Sequence, residues 1–351
     1  MNSVELKALL HQRGLIADPG ARCTPLGGGV SSDIWLVEEG ANQFVVKRAL
    51  PKLRVQQDWF ADVSRNRHEQ DFMDYVAGFL PDAVPRILHR APELGFFTME
   101  YLGKDFQNWK TILLAGRPDI DHARKAAAIL AEIHRHSWDD PVLRARFATT
   151  PQFFQLRLEP YLLNTGQRYS HLDSLFVHEA DRLAASSLCL VHGDFSPKNI
   201  LIGPERVVLL DCEVAWFGDP AFDIAFLLNH FFLKALLFHD NPRPYLALAE
   251  TTWQTYRSNS TVEQLAGLEE RVCRLVLMLL LARIDGKSPV EYLSDQQKKD
   301  CVRSFVANRL RTTTDRLGNL CGTWENQIGA IATCQEALGL DKKNKAGKPG
   351  K

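Results

Sequence analysis

The sequence predicts an α+β fold in two lobes, a small antiparallel sheet followed by a larger and mostly helical body. Three observations predict it. Short β-branched runs separated by turn residues crowd the first hundred positions; helical periodicity dominates from residue 122 onward; and 351 residues suffice for two or more domains with ample core.

The N-terminal elements come first. Ile34-Trp35-Leu36-Val37 reads as a strand, Glu39-Gly40-Ala41-Asn42 as a turn, and Gln43-Phe44-Val45-Val46-Lys47 as the returning strand. Before them, Pro25-Leu26-Gly27-Gly28-Gly29-Val30-Ser31-Ser32 is a glycine cluster between apolar stretches. Glycine lets backbone N–H groups approach phosphate oxygens closely, although three glycines in a row also suit an ordinary turn. Residues 65–76 read as a helix on which Glu69 is the best inward-facing acid, with Asp71 and Asp74 as surface-facing alternatives. Residues 95–103 read as an apolar strand running into a polar break.

The C-terminal body carries helical periodicity over 122–136, 222–238, 245–256, 262–284 and 296–317. The apolar stripe of the first comprises Ala126, Ile129, Leu130 and Ile133, with His134 in a packing position. The longest apolar run, 272–282, is interrupted by Arg274 and is too short to span a membrane, so a buried helix is expected.

The most specific signal is His192-Gly193-Asp194-Phe195-Ser196-Pro197-Lys198-Asn199, followed by Asp211-Cys212-Glu213. Between them, Ile200-Leu201-Ile202 and Val207-Val208-Leu209-Leu210 flank the turn formers Gly203-Pro204-Glu205-Arg206, a hairpin pattern. Antiparallel pairing brings the start of the first run beside the end of the second, so Asn199 and Asp211 meet. Two oxygen donors on adjacent strand ends suit Mg²⁺, which takes few protein ligands and completes its shell with water and phosphates. Glu213 shares the face of Asp211 if the chain stays extended, and is a candidate for a second ion or its water. Asp194, on the preceding loop, is placed to accept the proton of an attacking hydroxyl. These groups read as the base and metal ligands of an ATP-dependent phosphotransferase. Cys212 reads as a small buried side chain, since nothing nearby would lower its pKa.

This segment resembles the catalytic and metal-binding segment of the aminoglycoside phosphotransferase and choline kinase superfamily, small-molecule relatives of protein kinases. Its pattern His-x-Asp-x-x-x-x-Asn is matched by His192, Asp194 and Asn199, and its later metal-binding Asp by Asp211, with Glu213 as the acidic residue that follows in choline and methylthioribose kinases. Gly218-Asp219-Pro220 and Asp223 match residues that brace the catalytic loop. The resemblance implies a protein-kinase-like bilobal fold: residues 1–102 as the N-lobe, 103–340 as the helical C-lobe, 341–351 as a disordered Lys-rich tail. It implies Mg²⁺ and ATP, with phosphates under Gly27, Gly28, Gly29, Ser31 and Ser32 and against Lys47, and Glu69 as the partner of Lys47. The adenine edge would pair with backbone near Glu100 and Leu102, behind which Met99 would guard the pocket. His192 would orient the loop, and Lys198 would either neutralise the moving phosphoryl group or face solvent.

The acceptor is less constrained. Trp216 and Phe217 follow the carboxylates and would either line an acceptor pocket or pack in the core. Arg283, Asp285 and Lys287 would bind an anionic or polyhydroxylated acceptor or cap their helix. The sequence departs from methylthioribose kinases at Asn199 and the surrounding Ser-Pro-Lys, and it lacks the acidic C-terminal cluster expected of a polycation binder. A sugar or amino-alcohol metabolite is the leading acceptor, an aminoglycoside-like antibiotic the other. A protein kinase is disfavoured because no Asp-Phe-Gly, Ala-Pro-Glu or long activation segment follows the hairpin. A non-catalytic nucleotide-binding scaffold is disfavoured because Lys47, Asp194, Asn199 and Asp211 are all present.

Lys+Arg and Asp+Glu number 42 each, so no global charge favours nucleic acid or an anionic membrane; only the Lys-rich 342–351 departs from this balance. Seven cysteines without a Cys-x-x-Cys pair argue against a disulfide framework or zinc site and for a reducing cytoplasm. The opening residues carry neither a basic region nor an apolar core, so no signal peptide is expected. Both a monomer and a homodimer fit.

Overall fold

The computed structural model describes residues 2–27, 32–50, 65–312 and 316–337. Gly28, Gly29 and Ser31 of the expected phosphate loop, and the whole of the expected Lys-rich tail, lie outside them.

An antiparallel five-stranded sheet forms the N-terminal part: β1 (Arg22–Pro25), β2 (Ser32–Glu39), β3 (Asn42–Ala49), β4 (Ile87–Ala91) and β5 (Phe96–Glu100), in the order β1-β2-β3-β5-β4. The β2–β3 turn contains Gly40 at φ +59°, a conformation glycine adopts without the Cβ penalty. Along β3 the side chains alternate by the two-residue period of a strand. Phe44 and Val46 point to one face, where Leu6 and Leu10 of α1 (Ser3–Gln12) cover them. Val45 shares the opposite face with Met99 and Phe97, in the cluster that continues into α2 (Arg65–Ala77) and the helical body. Lys47 follows Val45 by two residues and so belongs to that second face.

The helical body follows the short strand β6 (Gln107–Asn108). Its helices include α3 (Ile120–His136), α4 (Asp173–Ala185), α5 (Ala221–Leu237), α6 (Arg243–Ser258) and α7 (Leu268–Asp285). α5 is buried along nearly its whole length and packs against both α6 and α7. Short strands β7 (Cys189–Val191) and β10 (Trp216–Gly218) pair antiparallel, and β8 (Ile200–Ile202) and β9 (Val207–Leu209) form the expected hairpin, with Ile200 opposite Leu209. The chain is therefore α+β, as the sequence predicts.

Two helix expectations need correction. The helix expected over 262–284 is two, Val262–Leu265 and α7, because Gly267 takes φ +60° and interrupts the helical path. The helix expected over 296–317 ends at Arg309, and a further helix begins at Leu317, running to Ala337. The run 272–282 lies buried inside α7, and no helix among the described residues is long and apolar enough to cross a membrane.

One irregular element bears on the site. Residues Phe154–Leu163 form a π-helical stretch containing Pro160. Pro lacks the N–H that a regular helix needs, and wide turns of this kind often occur at functional sites.

Candidate active site

The site is assembled where the second face of the sheet meets the β8–β9 hairpin. Leu210 N–H donates to the Asn199 carbonyl at 2.8 Å, extending the hairpin by one pair and placing Asn199 beside Leu210 and Asp211. Asn199 is buried, and its Nδ2 donates to the Asp194 carbonyl at 3.0 Å. That bond commits the amide nitrogen to the loop, so the side-chain oxygen is the atom left to serve a metal. Asp211 adopts φ +61°, a left-handed conformation that Asp tolerates better than most residues because its short polar side chain bonds locally.

Lys47 and Glu69 meet in a buried ion pair at 2.6 Å, and the same Nζ lies 2.6 Å from Asp211 Oδ1. Burial disfavours the Lys47 cation, but Asp211, Glu69 and Glu213 outweigh it and hold the pKa above its ordinary value. Burial likewise opposes the Asp211 anion, and Lys47 and Lys198 outweigh it, holding that carboxyl well below the usual range. Burial pushes Glu69 up to about 7 against the pull of Lys47. The phase expected for α2 is the observed one. Asp71 faces outward onto Arg146, and Asp74 onto Arg90.

Asp194 is buried between two cations: Arg157 Nη2 and Lys198 Nζ each lie 3.1 Å from Oδ2. Burial would raise its pKa, but Lys198 and Arg157 lower it, so the carboxylate stays ionised. Both contacts fall on Oδ2, so Oδ1 is the oxygen left to accept a proton. Lys198 is half exposed. It thus faces solvent, the second of the two expectations, while its Nζ also touches Asp194.

The loop that carries Asp194 is held from beneath. Asp223, fully buried in the first turn of α5, accepts His192 N–H at 2.6 Å and Gly193 N–H at 2.9 Å, and lies 3.4 Å from His134 Nε2. Gly193 has φ +79°, and a Cβ there would lie 2.3 Å from the Val214 carbonyl oxygen, so only glycine fits. His192 Nδ1 accepts Asp194 N–H at 3.2 Å and its Nε2 sits 3.1 Å from the Leu210 carbonyl. Those two partners require the neutral tautomer with the proton on Nε2. Burial lowers the His192 pKa in the same sense. With both nitrogens engaged, His192 orients the loop. Asp219 is bound by Arg182 and by Arg271 at 2.9 Å, ion pairs remote from the reacting groups.

Several expected residues sit elsewhere in the arrangement. The Glu213 carboxylate pairs with buried Arg65 at 2.9 Å. Among the described residues no three His, Cys, Asp or Glu side chains gather as a metal cage. A donor set of Asn199 and one Asp211 carboxylate agrees with this, since Mg²⁺ characteristically takes one or two carboxylates and leaves the rest to phosphates and water. Ser32 opens β2 with a buried Oγ that has no partner among the described residues, and Ser196 Oγ beside the catalytic loop is likewise unpartnered. Such orphaned donors fit a site completed by a polar ligand. Gly27 is open: an added Cβ would meet nothing within 4 Å.

The Glu100 carboxylate is engaged by Arg86 N–H at 3.1 Å and Arg206 at 3.2 Å, tying the sheet to the hairpin. Leu102 follows, half buried, and Met99 lies against Val45 and Phe97 in the adjoining core. Trp216 is fully buried and stacks on Phe153 at 4.0 Å, and Phe217 is also buried, so both pack. Asp285 is held by Arg303 and Tyr169, and Lys287 by Glu159. Cys212 is buried, and burial raises its thiol pKa well above the ordinary value.

The sequence reading missed Arg65 and Arg157. Neither belongs to a motif. Each acts across more than thirty residues of chain, and isolated arginines carry no spacing signal.

Comparison with known proteins agrees with this geometry. A methylthioribose kinase of Pectobacterium carotovorum is 26% identical over 258 residues, which cover 62% of this chain and 63% of that protein. A second, from rice, is 21% identical over 243 residues, covering 59% of this chain and 55% of its own. The matches thus span less than two thirds of these relatives. Among solved structures, a choline/ethanolamine kinase family protein of Mesorhizobium loti superposes with a TM-score of 0.51 at 15% identity, covering 95% of this chain and all of its own. An ethanolamine kinase of Plasmodium vivax gives 0.50 at 12% identity, covering 92% and 86%. These establish the protein-kinase-like fold. The model of the phosphotransferase enzyme family matches residues 22–258, from the first strand of the sheet to the end of α6, and the chain belongs to that family.

Proposed function

We propose that the protein transfers the γ-phosphoryl group of ATP to a hydroxyl of a small acceptor. The observation that carries this reading is Asp194: an ionised buried carboxylate with one oxygen held by Arg157 and Lys198, next to the Lys47, Glu69 and Asp211 network.

Asp194 Oδ1 accepts the proton of the acceptor hydroxyl. The hydroxyl oxygen forms a bond to the γ-phosphorus while the bond from that phosphorus to the β,γ-bridging oxygen breaks, so the products are a phosphomonoester and ADP. Lys47, held in place by Glu69, neutralises the α- and β-phosphates. Asn199 and Asp211 hold Mg²⁺, which when bound neutralises charge on the transferred group; Glu213 reaches this set through its neighbour Asp211 while anchoring Arg65. Gly27 and Ser32 would lie over the phosphates, and backbone near Glu100 and Leu102 would receive the adenine. Fixed positions for base, metal and lysine supply most of the catalysis, since phosphoryl transfer asks the protein chiefly for alignment and charge.

The lobes divide at 102 and 103, with the acceptor bound by the helical lobe. A sugar-like metabolite is the acceptor class supported by the methylthioribose kinases among the relatives. The free cysteines fit a reducing cytoplasm.

The test is transfer from Mg·ATP to a pooled library of hydroxylated metabolites and aminoglycosides, read by mass spectrometry beside Asp194→Asn. A phosphomonoester formed by the wild type and reduced at least roughly a thousandfold in the variant supports the reading, the scale expected when an aligned base is lost together with its charge. An equal product yield in both sinks it.

A further inference from the structure

One face of α5 runs away from the catalytic aspartate and ends in an unpaired charge. Phe226, His230 and Lys234 repeat every four residues, so they stack on one side of the helix, about 6 Å apart along its axis. Phe226 lies against Tyr161 at 5.5 Å, and the Arg157 guanidinium that touches Asp194 is centred 5.8 Å from the Phe226 ring. At the far end, Lys234 is fully buried, its Nζ 4.9 Å from the Tyr292 ring centre and without a hydrogen-bond partner among the described residues. Arg283 comes from α7, which packs on α5. It lies 5.7 Å from the Tyr161 ring and bonds Ser288, yet its Nε is also unpartnered, as is the Tyr292 hydroxyl.

Three unpartnered polar atoms, Lys234 Nζ, Arg283 Nε and the Tyr292 hydroxyl, therefore share one neighbourhood, where no ion pair to Lys234 or Arg283 forms among the described residues. The nearby carboxylate of Glu291 is taken by Lys110. A buried cation without a counter-charge is costly, and the anionic group of a ligand bound beside it would offset that cost. The surroundings act in the same direction on titration: burial, then Lys110 and Arg283, lower the Lys234 pKa to about 7, and burial with Lys234 and Arg283 lowers that of His230 well below its usual value.

We propose that the acceptor is an anionic hydroxylated molecule, a sugar acid or sugar phosphate, whose hydroxyl lies at Asp194 and whose anionic group is held by Lys234 and Arg283. This rests on the phosphotransferase reading and narrows it. Arg157, Tyr161 and Phe226 link the two ends through ring and guanidinium contacts of 5.5–5.9 Å, so in this proposal an acceptor reaching both ends is selected over a neutral one that leaves the cations unpaired. A polycationic acceptor is repelled by the same groups.

The test has two arms. The melting temperature is followed with saturating Mg·ADP, so that the nucleotide phosphates' own place is filled, while sulfate, gluconate or ionic-strength-matched chloride is added. Initial rates are then compared within matched pairs: glycerate and glycerol, gluconate and glucose, ribose 5-phosphate and ribose. Sulfate and gluconate should raise the melting temperature of the wild type above the chloride control, and not that of Lys234→Met or Arg283→Gln. Within any pair that turns over, KM for the anion should be lower by roughly ten- to a hundredfold, the worth of one charge-assisted hydrogen bond. The Lys234→Met protein is expected to fold, since it loses a buried unpaired charge and keeps the apolar stem. Anion effects no larger than chloride, or equal in wild type and both variants, overturn the proposal. If Mg·ADP itself fails to stabilise the protein while a Lys234-dependent anion effect persists, the phosphotransferase reading falls and the anion site stands.

Discussion

Asp223→Asn isolates the support of the catalytic loop from its chemistry. Asp223 is fully buried, Oδ2 accepting His192 N–H at 2.6 Å and Oδ1 accepting Gly193 N–H at 2.9 Å. A carboxamide has the same shape but one acceptor oxygen; its NH₂ must then face one of the two backbone N–H groups, donor against donor. The change forfeits one charge-assisted bond, worth roughly 1.5–3 kcal/mol, and leaves a buried N–H unsatisfied at a further 1–3 kcal/mol. A loss of about 2.5–6 kcal/mol follows, a large part of the roughly 5–15 kcal/mol that keeps an ordinary domain folded. The assay is urea unfolding followed by tryptophan fluorescence, with the midpoint falling and the slope unchanged. Because Asp194 adjoins Gly193, kcat should fall with stability, while nucleotide affinity, set largely by Lys47 and Glu69 from the sheet side, should hold. A stability change below about 1 kcal/mol, with kcat intact, would refute the view that this carboxylate anchors the loop through both bonds.

Gly193→Ala should cost about 2–5 kcal/mol. Its terms are a left-handed φ of +79°, worth roughly 1–2 kcal/mol, and a Cβ driven to 2.3 Å from the Val214 carbonyl, worth roughly 1–3 kcal/mol as overpacking; a melting temperature within a degree of wild type would contradict it. Lys234 links stability to pH. Its folded pKa is lowered to about 7 from 10.5 by burial and by Lys110 and Arg283, with Glu291 opposing and His230 the titratable neighbour on its own helix. Between those values the unfolded chain holds more protons than the folded one, so this contribution to stability rises with pH across the window and is smallest below pH 7. Lys234→Met should therefore be more stable than wild type at pH 6, by an order of a few kcal/mol, and the gap should narrow toward pH 10; denaturant titrations at the two pH values check this, and a gap that stays constant would contradict it.

The residues proposed to carry the chemistry were legible because their signals are local. His192, Asp194 and Asn199 sit within eight positions, and hairpin pairing alone brings Asp211 to Asn199, as the Ile200–Leu209 register bears out. The same holds for Lys47 at the end of a two-residue alternation and for Glu69, whose helical phase turns it inward while Asp71 and Asp74 face out. The boundary within 262–284 escapes the sequence because apolar periodicity continues through Gly267, whereas a single residue at positive φ ends a helix without altering the pattern around it.

What the sequence by itself determined, then, is which side chains could form a phosphotransferase site and in what order along the chain. Tertiary structure alone decided what surrounds them. Arg157 reaches Asp194 from a π-helical stretch, Arg65 reaches Glu213 across 148 residues, and Lys234 lies beneath Tyr292 with no counter-charge. Periodicity and spacing report on neighbours along one element, whereas charge compensation is a property of the packed interior, where α5 meets α7 and the sheet meets the hairpin, and no single segment encodes it.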